Sequence, residues 1–221
     1  MDAAFWHERW NNNEIGFHQA KVNGYLQSFW SQLKFAPGSR IFVPLCGKSL
    51  DMCWLLEQGF RVLGVELNRQ AVESFFAENS LVASCQQTEA FRTWRHPRIE
   101  ILQGDFMALS PTQTTDIGGV YDRAAMIALP PEMRRKYCRH LLEIIPPTAE
   151  ILLVTLEYPQ AEMTGPPFSV AAEEIIALYG GARNVHCLAS RDILTENQSF
   201  IEKGITSLEE KVYRLTPWEK G

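Results

Sequence analysis

Residues 40–67 read R-I-F-V-P-L-C-G-K-S-L-D-M-C-W-L-L-E-Q-G-F-R-V-L-G-V-E-L, and this stretch decides the fold. Ile41–Leu45 is a short apolar run. Leu50–Gln58 places Met52, Leu55 and Leu56 on one side of a helix, with Gly59 in the C-cap position where a left-handed residue ends a helix. Arg61–Leu67 is a second apolar run. Strand, helix and strand within about 30 residues form a crossover unit, and strands joined that way pair in parallel.

The same rhythm continues downstream. Asn68 is a good N-cap for a helix over Arg69–Asn79. The polar stretch Ser84–Arg98, which carries Trp94, shows no strand pattern, and Ile99–Leu102 is a third short strand ending in Gly104-Asp105. Val120-Tyr121-Asp122 centres a weak fourth strand. Pro131 opens a helix that runs to about Ile145 and is stopped by Pro146-Pro147. Glu150–Leu156 is near-continuously apolar, as in a strand covered on both faces. Beyond it lie a helix over Val170–Leu178 and extended stretches near Arg183–Leu188 and Glu209–Leu215. Upstream, the segment Met1–Asn13 sets Trp6 and Trp10 on one helical face beside Ala3, and a second apolar-periodic stretch holds Val22, Leu26, Phe29, Trp30 and Leu33 before the Pro37-Gly38 turn. The expectation is an α/β domain with a doubly wound, mostly parallel sheet over residues 36–221 and an N-terminal helical cover over residues 1–35.

Composition narrows the class. The chain has 221 residues, 46% of them hydrophobic, and a formal net charge of -5. That apolar content supports a large core and excludes disorder and collagen-like repetition. A net negative charge argues against a phosphate-backbone binder, so no nucleic-acid partner is expected. The five cysteines, Cys46, Cys53, Cys85, Cys138 and Cys187, form no C-x-x-C pair, which speaks against both a disulfide scaffold and a zinc site. The five histidines are equally scattered, so no metal is expected. Asp2 stands where a signal peptide carries basic residues, and no apolar run approaches the roughly 18 residues needed to span a bilayer. A monomeric cytoplasmic protein with reduced thiols and no membrane partner is expected.

In a doubly wound sheet, ligands bind beyond the carboxyl ends of the strands. The candidates are therefore Leu45-Cys46-Gly47-Lys48, Glu66, Gly104-Asp105 and Asp122-Arg123. An acidic residue ending the second strand, about 20 residues after a glycine-containing turn, is where a ribose is held. The alternative is a strand-end carboxylate that simply emerges into water. The turn Pro44–Ser49 lacks G-x-G-x-x-G, and as a P-loop it has Phe42 where the first glycine is required. A single-glycine turn suits a ligand without pyrophosphate, and S-adenosylmethionine is such a ligand. Trp6, Trp10 and Phe17 read either as an aromatic cover for a sulfonium cation or, more simply, as a packing stripe that anchors the first helix. Cys46 reads as a packed thiol, Arg134-Arg135-Lys136 with Arg139 as a solvated face, and Gly165-Pro166-Pro167-Phe168 as a rigid loop that lines an acceptor pocket.

Taken in order, F-W-H-E-R-W, G-F-H-Q, V-P-L-C-G-K-S-L-D-M, V-L-G-V-E-L, Y-D-R-A-A-M-I-A-L-P and G-P-P-F give a chain that resembles the bacterial thiopurine S-methyltransferases over essentially its full length. The resemblance implies a class I S-adenosylmethionine-dependent fold with a seven-stranded sheet, and methyl transfer to the sulfur of thiopurines and other aromatic or heterocyclic thiols, with selenium or tellurium compounds as further acceptors. It implies that Trp10, Leu45, Glu66 and Arg123 surround the cofactor. Trp6 and Phe17 would lie in the covering segment and Gly104-Asp105-Phe106 near the adenine. Asp122 and Arg123, the catalytic candidates, would stand where cofactor and acceptor meet. The rival readings are a methyltransferase with another small-molecule acceptor, a P-loop nucleotide hydrolase, and a cofactor-binding module without catalysis.

Overall fold

A computed structural model gives the architecture, with residues 3–218 described. Met1 and Asp2, which begin the expected first helix, lie outside the described residues, as do the last three. The chain divides into two units, Met1–Tyr121 with Ile144–Pro146 and Asp122–Glu143 with Pro147–Gly221. The division interrupts two elements, a strand after Tyr121 and a helix after Glu143.

The first unit opens with α1 (Ala3–Asn11), α2 (Gly24–Phe29) and a 3-10 turn, Trp30–Gln32. Asn23 starts α2 by accepting the Tyr25 and Leu26 amides on its side chain at 3.0 and 3.2 Å. Then come β1 (Arg40–Val43), α3 (Asp51–Glu57), β2 (Arg61–Glu66), α4 (Arg69–Glu78), β3 (Ser84–Gln87), β4 (Arg92–His96), β5 (Ile99–Gln103), α5 (Pro111–Thr114) and β6 (Ile117–Arg123), whose last two residues belong to the second unit. β1 is parallel to β2 and to β6, and β2 is parallel to β5. The crossover reading of residues 40–67 therefore stands. Ile41, Phe42, Leu63 and Val65 are fully buried at the centre of this sheet, which is the reason its strands carry no polar alternation.

Ser84–Arg98 departs from expectation. It forms the antiparallel pair β3–β4, and β4 runs antiparallel along β5. All four residues of β3 are exposed, so this edge strand has no apolar periodicity to show. Trp94 holds the hairpin down by stacking on Phe76, with centroids 6.1 Å apart and planes at 20°.

The second unit holds α6 (Pro131–Ile144), β7 (Glu150–Glu157), α7 (Ala172–Tyr179), β8 (Arg183–Asp192), α8 (Gln198–Glu202) and β9 (Glu209–Pro217), with the last residue of α6 in the first unit. β9 is antiparallel to both β7 and β8. The α/β class holds. The described residues contain nine strands instead of seven, and the β3–β4 hairpin accounts for the excess.

Candidate functional site

The turn after β1 is built to sit against β2. Cys46 donates its amide to the Val65 carbonyl at 2.9 Å, and Leu45 and Gly47 both take positive φ, 46° and 52°. Gly64 makes room for the turn, because a Cβ there would lie 2.8 Å from Cys46 Sγ. The Cys46 thiol is buried and its pKa is pushed well up, first by desolvation and then by the charge of Glu66, so it is a packed thiol as expected.

Glu66 ends β2 and does not emerge into water; it is 7% exposed. Its Oε2 accepts the Gly47 amide at 2.9 Å and its Oε1 accepts the Asn68 amide at 2.7 Å. Burial raises its pKa, and the amides of Asn68, Gly47 and Leu67 oppose the rise without cancelling it. A carboxylate oxygen can accept two hydrogen bonds. The amide-held carboxylate keeps acceptor capacity at the strand end, which suits a ribose hydroxyl. The same geometry removes the P-loop reading: the Gly47 amide is committed to a carboxylate, and Lys48 Nζ is paired with Glu78 at 2.7 Å.

The aromatic residues of α1 reach this turn. Trp10 is 5% exposed, and a Cβ on Gly47 would lie 3.4 Å from its indole Cζ2. Phe17 meets Trp10 edge-on at 5.6 Å and Trp6 at 6.0 Å. The packing stripe is real, and its inner end lies over the glycine that contacts Glu66. Beside it, a cleft of about 420 Å³ is lined by His7, Asn68, Arg69, Glu73 and Gln103 among others. Gly104 follows β5 and donates its amide to the Glu66 carbonyl at 2.9 Å. Its missing side chain matters, since a Cβ would stand 2.7 Å from the Phe91 ring and 2.9 Å from the Ala90 carbonyl. Asp105 is exposed and spends Oδ1 on the Met107 amide at 2.9 Å, capping the 3-10 turn Phe106–Ala108. Within the first unit, Trp6, Trp10, Phe17, Gly47, Glu66 and Gly104 thus form one connected group.

Asp122 and Arg123, the last two residues of β6, fall in the second unit. The Asp122 side chain is fully buried, with Oδ2 accepting the Tyr137 hydroxyl at 2.6 Å and Oδ1 the Met126 amide at 3.3 Å. Burial pushes its pKa up to about 6, against the pull of the Tyr137 hydrogen bond. The carboxylate therefore holds the turn that follows Arg123, where Ala124 takes a φ of 66°. Arg123 itself is half-buried.

Arg134 corrects the expectation of a solvated basic face. It is 2% exposed and grips Glu174 through Nε at 2.9 Å and Nη2 at 2.8 Å, while Nη1 reaches the carbonyls of Leu129 at 3.3 Å and Ser169 at 3.1 Å. One guanidinium thereby ties together the segment after β6, the Gly165–Ser169 loop and α7. The loop is further braced by Tyr158 Oη, which donates to the Pro167 carbonyl at 2.6 Å, and by the Phe168 amide, which donates to the Ile127 carbonyl at 2.6 Å.

Sequence reasoning passed over Asp51. It is buried, accepts the Asn23 amide at 2.8 Å on Oδ1 and the Tyr121 hydroxyl at 2.9 Å on Oδ2, and so fixes the N-terminal cover to α3 and β6. Its position in the first turn of α3 was the available signal. No cluster of three potential metal ligands occurs among the described residues.

A family model described as thiopurine S-methyltransferase matches residues 1–218. The thiopurine S-methyltransferase of Pseudomonas entomophila is 52% identical over 216 residues, covering 98% of this chain and all of that protein. The one from Nitrosospira multiformis is 50% identical over 215 residues, 97% of this chain and 98% of that protein. Among solved structures, a SAM-dependent methyltransferase from Anabaena variabilis superposes with a TM-score of 0.63 at 15% identity, over 98% of this chain and 95% of that one.

Proposed function

Since the chain belongs to the thiopurine S-methyltransferase family, an S-adenosylmethionine-dependent group of enzymes, we propose that its acceptors are thiopurines and other aromatic or heterocyclic thiols, and that selenium or tellurium compounds are candidates for the same reaction. The first unit fits the cofactor. Glu66 offers its carboxylate to a ribose, and in the turn beside it the Gly47 amide is committed to Glu66 and the Cys46 amide to the Val65 carbonyl. When bound, S-adenosylmethionine supplies an electrophilic methyl carbon carried on a sulfonium.

Each residue then has a task. Glu66 takes the ribose hydroxyls, and the Gly47 and Asn68 amides keep its carboxylate aimed. Leu45 and Gly47 form the floor of the turn, while Trp10 lies over it and, with Trp6 and Phe17, excludes water and presents aromatic faces to the positive sulfur. Gly104 and Asp105 set the edge next to the Glu66 strand end. Arg123 meets the acceptor, and Asp122 acts through the turn it braces. With the cofactor held by Glu66 and covered by Trp10, the protein would keep an acceptor sulfur in line with the methyl group that S-adenosylmethionine would supply, the thiol proton passing to solvent. A thiol or thione is acidic or polarisable enough to need no strong base, so the protein's work is positioning. The whole chain is read as one methyltransferase domain. No helix among the described residues is long and apolar enough to cross a membrane.

The observation that carries this reading is the buried Glu66 carboxylate, held in place by the Gly47 and Asn68 amides at the end of β2. Transfer of labelled methyl from S-adenosylmethionine should be measured on thiopurines, thiophenols, selenite and tellurite. Label on the sulfur acceptors is expected. Label on oxygen or nitrogen acceptors alone would favour the rival methyltransferase, and cofactor binding with no transfer to any acceptor would favour a non-catalytic module.

A further inference from the structure

Asn68 does more than cap α4. Its Oδ1 accepts the Ala71 amide at 3.2 Å, its backbone amide holds Glu66 Oε1 at 2.7 Å, and its Nδ2 lies 3.1 Å from Nδ1 of His7 on α1. These contacts fix one another. Because Oδ1 must accept from the helix, the group facing His7 is the amide NH2, a donor only. His7 Nδ1 must then be the acceptor, which requires that nitrogen to carry no proton. Asn68 is thus a single residue that holds Glu66 through its backbone amide and α1 through its side chain, and α1 carries the Trp10 indole that lies over Gly47.

We propose that Asn68 and His7 are positioning residues for the cofactor. Their hydrogen bond fastens α1, and with it Trp10, to the strand end where Glu66 is seated, and the fastening holds only while His7 Nδ1 is unprotonated. The inference rests on the reading of Glu66 as the ribose acceptor. A doubly protonated imidazole would set N–H against N–H and release the helix. The charged and titratable groups on the surrounding elements are Glu8 and Arg9 on α1, Glu66 ending β2, and Arg69, Glu73 and Glu78 on α4. Arg69 is paired with Glu73 at 2.7 Å and Glu78 with Lys48 at 2.7 Å. Gln103, which lines the cleft from β5, is uncharged.

Two substitutions separate this role from mere packing. Asn supplies a carbonyl close to the position of Nδ1, so His7→Asn keeps an acceptor at every pH. Asn68→Asp keeps an N-cap and the backbone amide to Glu66, but turns the donor into an acceptor that needs a proton on His7 Nδ1, which the Nδ1–H tautomer or, more strongly, the imidazolium supplies. Calorimetry with S-adenosylhomocysteine across about pH 5 to 8, the window in which imidazoles titrate, gives the readout. The native chain should lose about fivefold in affinity on acidification, the share of one hydrogen bond. Relative to His7→Asn at each pH, the native chain should lose affinity on acidification and Asn68→Asp should gain it. The same slope in all three proteins would overturn the proposal. Glu66→Ala is measured alongside: if it binds normally, the ribose reading fails. The fastening is then judged by hydrogen exchange of the α1 amides in the ligand-free proteins, where the same opposed pH trends support it and identical trends overturn it.

Discussion

Replacing Glu66 by alanine should weaken binding of S-adenosylmethionine about a hundredfold. The carboxylate is held by the Gly47 amide at 2.9 Å and the Asn68 amide at 2.7 Å, and on the proposed reading the two ribose hydroxyls bond to the same oxygens. Hydrogen bonds to an ionised acceptor contribute about 1.5–3 kcal/mol each, so two supply about 3–6 kcal/mol. Water entering the vacated space recovers part of this, and a net loss of about 2.7 kcal/mol corresponds to a hundredfold in Kd. Alanine also strands the two amides, so the turn relaxes and part of the loss comes from disorder. Glu66→Gln separates these effects. It keeps the volume and one carbonyl acceptor but forces its NH2 against one of the two amides, and should lose affinity by an intermediate amount. The assay is calorimetry with S-adenosylmethionine and S-adenosylhomocysteine near neutral pH, with thermal denaturation of each variant to establish folding. Both ligands should weaken alike, because the ribose is common to them. An unchanged Kd for folded Glu66→Ala would refute the reasoning.

Three further outcomes follow from the geometry. The Asp122 pKa is raised from the ordinary 3.8 to about 6 in the folded chain, so its contribution to stability is complete below pH 3.8 and is lost as pH rises through 6. That loss is about 3 kcal/mol for this fully buried group, and urea denaturation against pH should show it in the native chain and not in Asp122→Asn; equal slopes would remove the assignment. Arg134→Met breaks a buried pair and two further contacts and should destabilise by about 3–5 kcal/mol in the same assay, whereas Arg135→Met should change little. Gly64→Ala drives a Cβ to 2.8 Å from Cys46 Sγ and 3.3 Å from Ile101. It should cost about 1–3 kcal/mol through overpacking and weaken cofactor binding through the displaced turn; native stability and affinity together would show the approach to be slack.

The parts of the fold legible in the sequence are those written in local chemistry. The parallel core shows itself because Ile41–Val43 and Val62–Val65 are buried on both faces and so lack polar alternation. Asn68 is legible as a cap because capping joins residues three positions apart. Glu66 is legible as a candidate because a carboxylate closing an apolar strand is out of place there unless it binds something. The rest depends on partners far along the chain. Nothing local distinguishes Arg134 from Arg135; its burial is decided by Glu174, 40 residues on. β3 and β4 lack an apolar rhythm because β3 is an exposed edge, and what anchors them is the Trp94 stack on Phe76. The partner that Asp122 holds at the end of β6, Tyr137, stands 15 residues later and leaves no local mark beside it. The second role of Asn68 depends on His7, 61 residues earlier.

The central claim is that a methyl group passes from S-adenosylmethionine to sulfur. A single turnover with S-adenosylmethionine labelled with carbon-13 in its methyl group, using a thiopurine as acceptor, tests it directly by nuclear magnetic resonance. The account predicts that the labelled carbon moves to the chemical shift of a methyl thioether, with one S-adenosylhomocysteine formed per methyl transferred. A labelled methyl on a ring nitrogen, or cofactor that stays intact beside bound thiopurine, would contradict it.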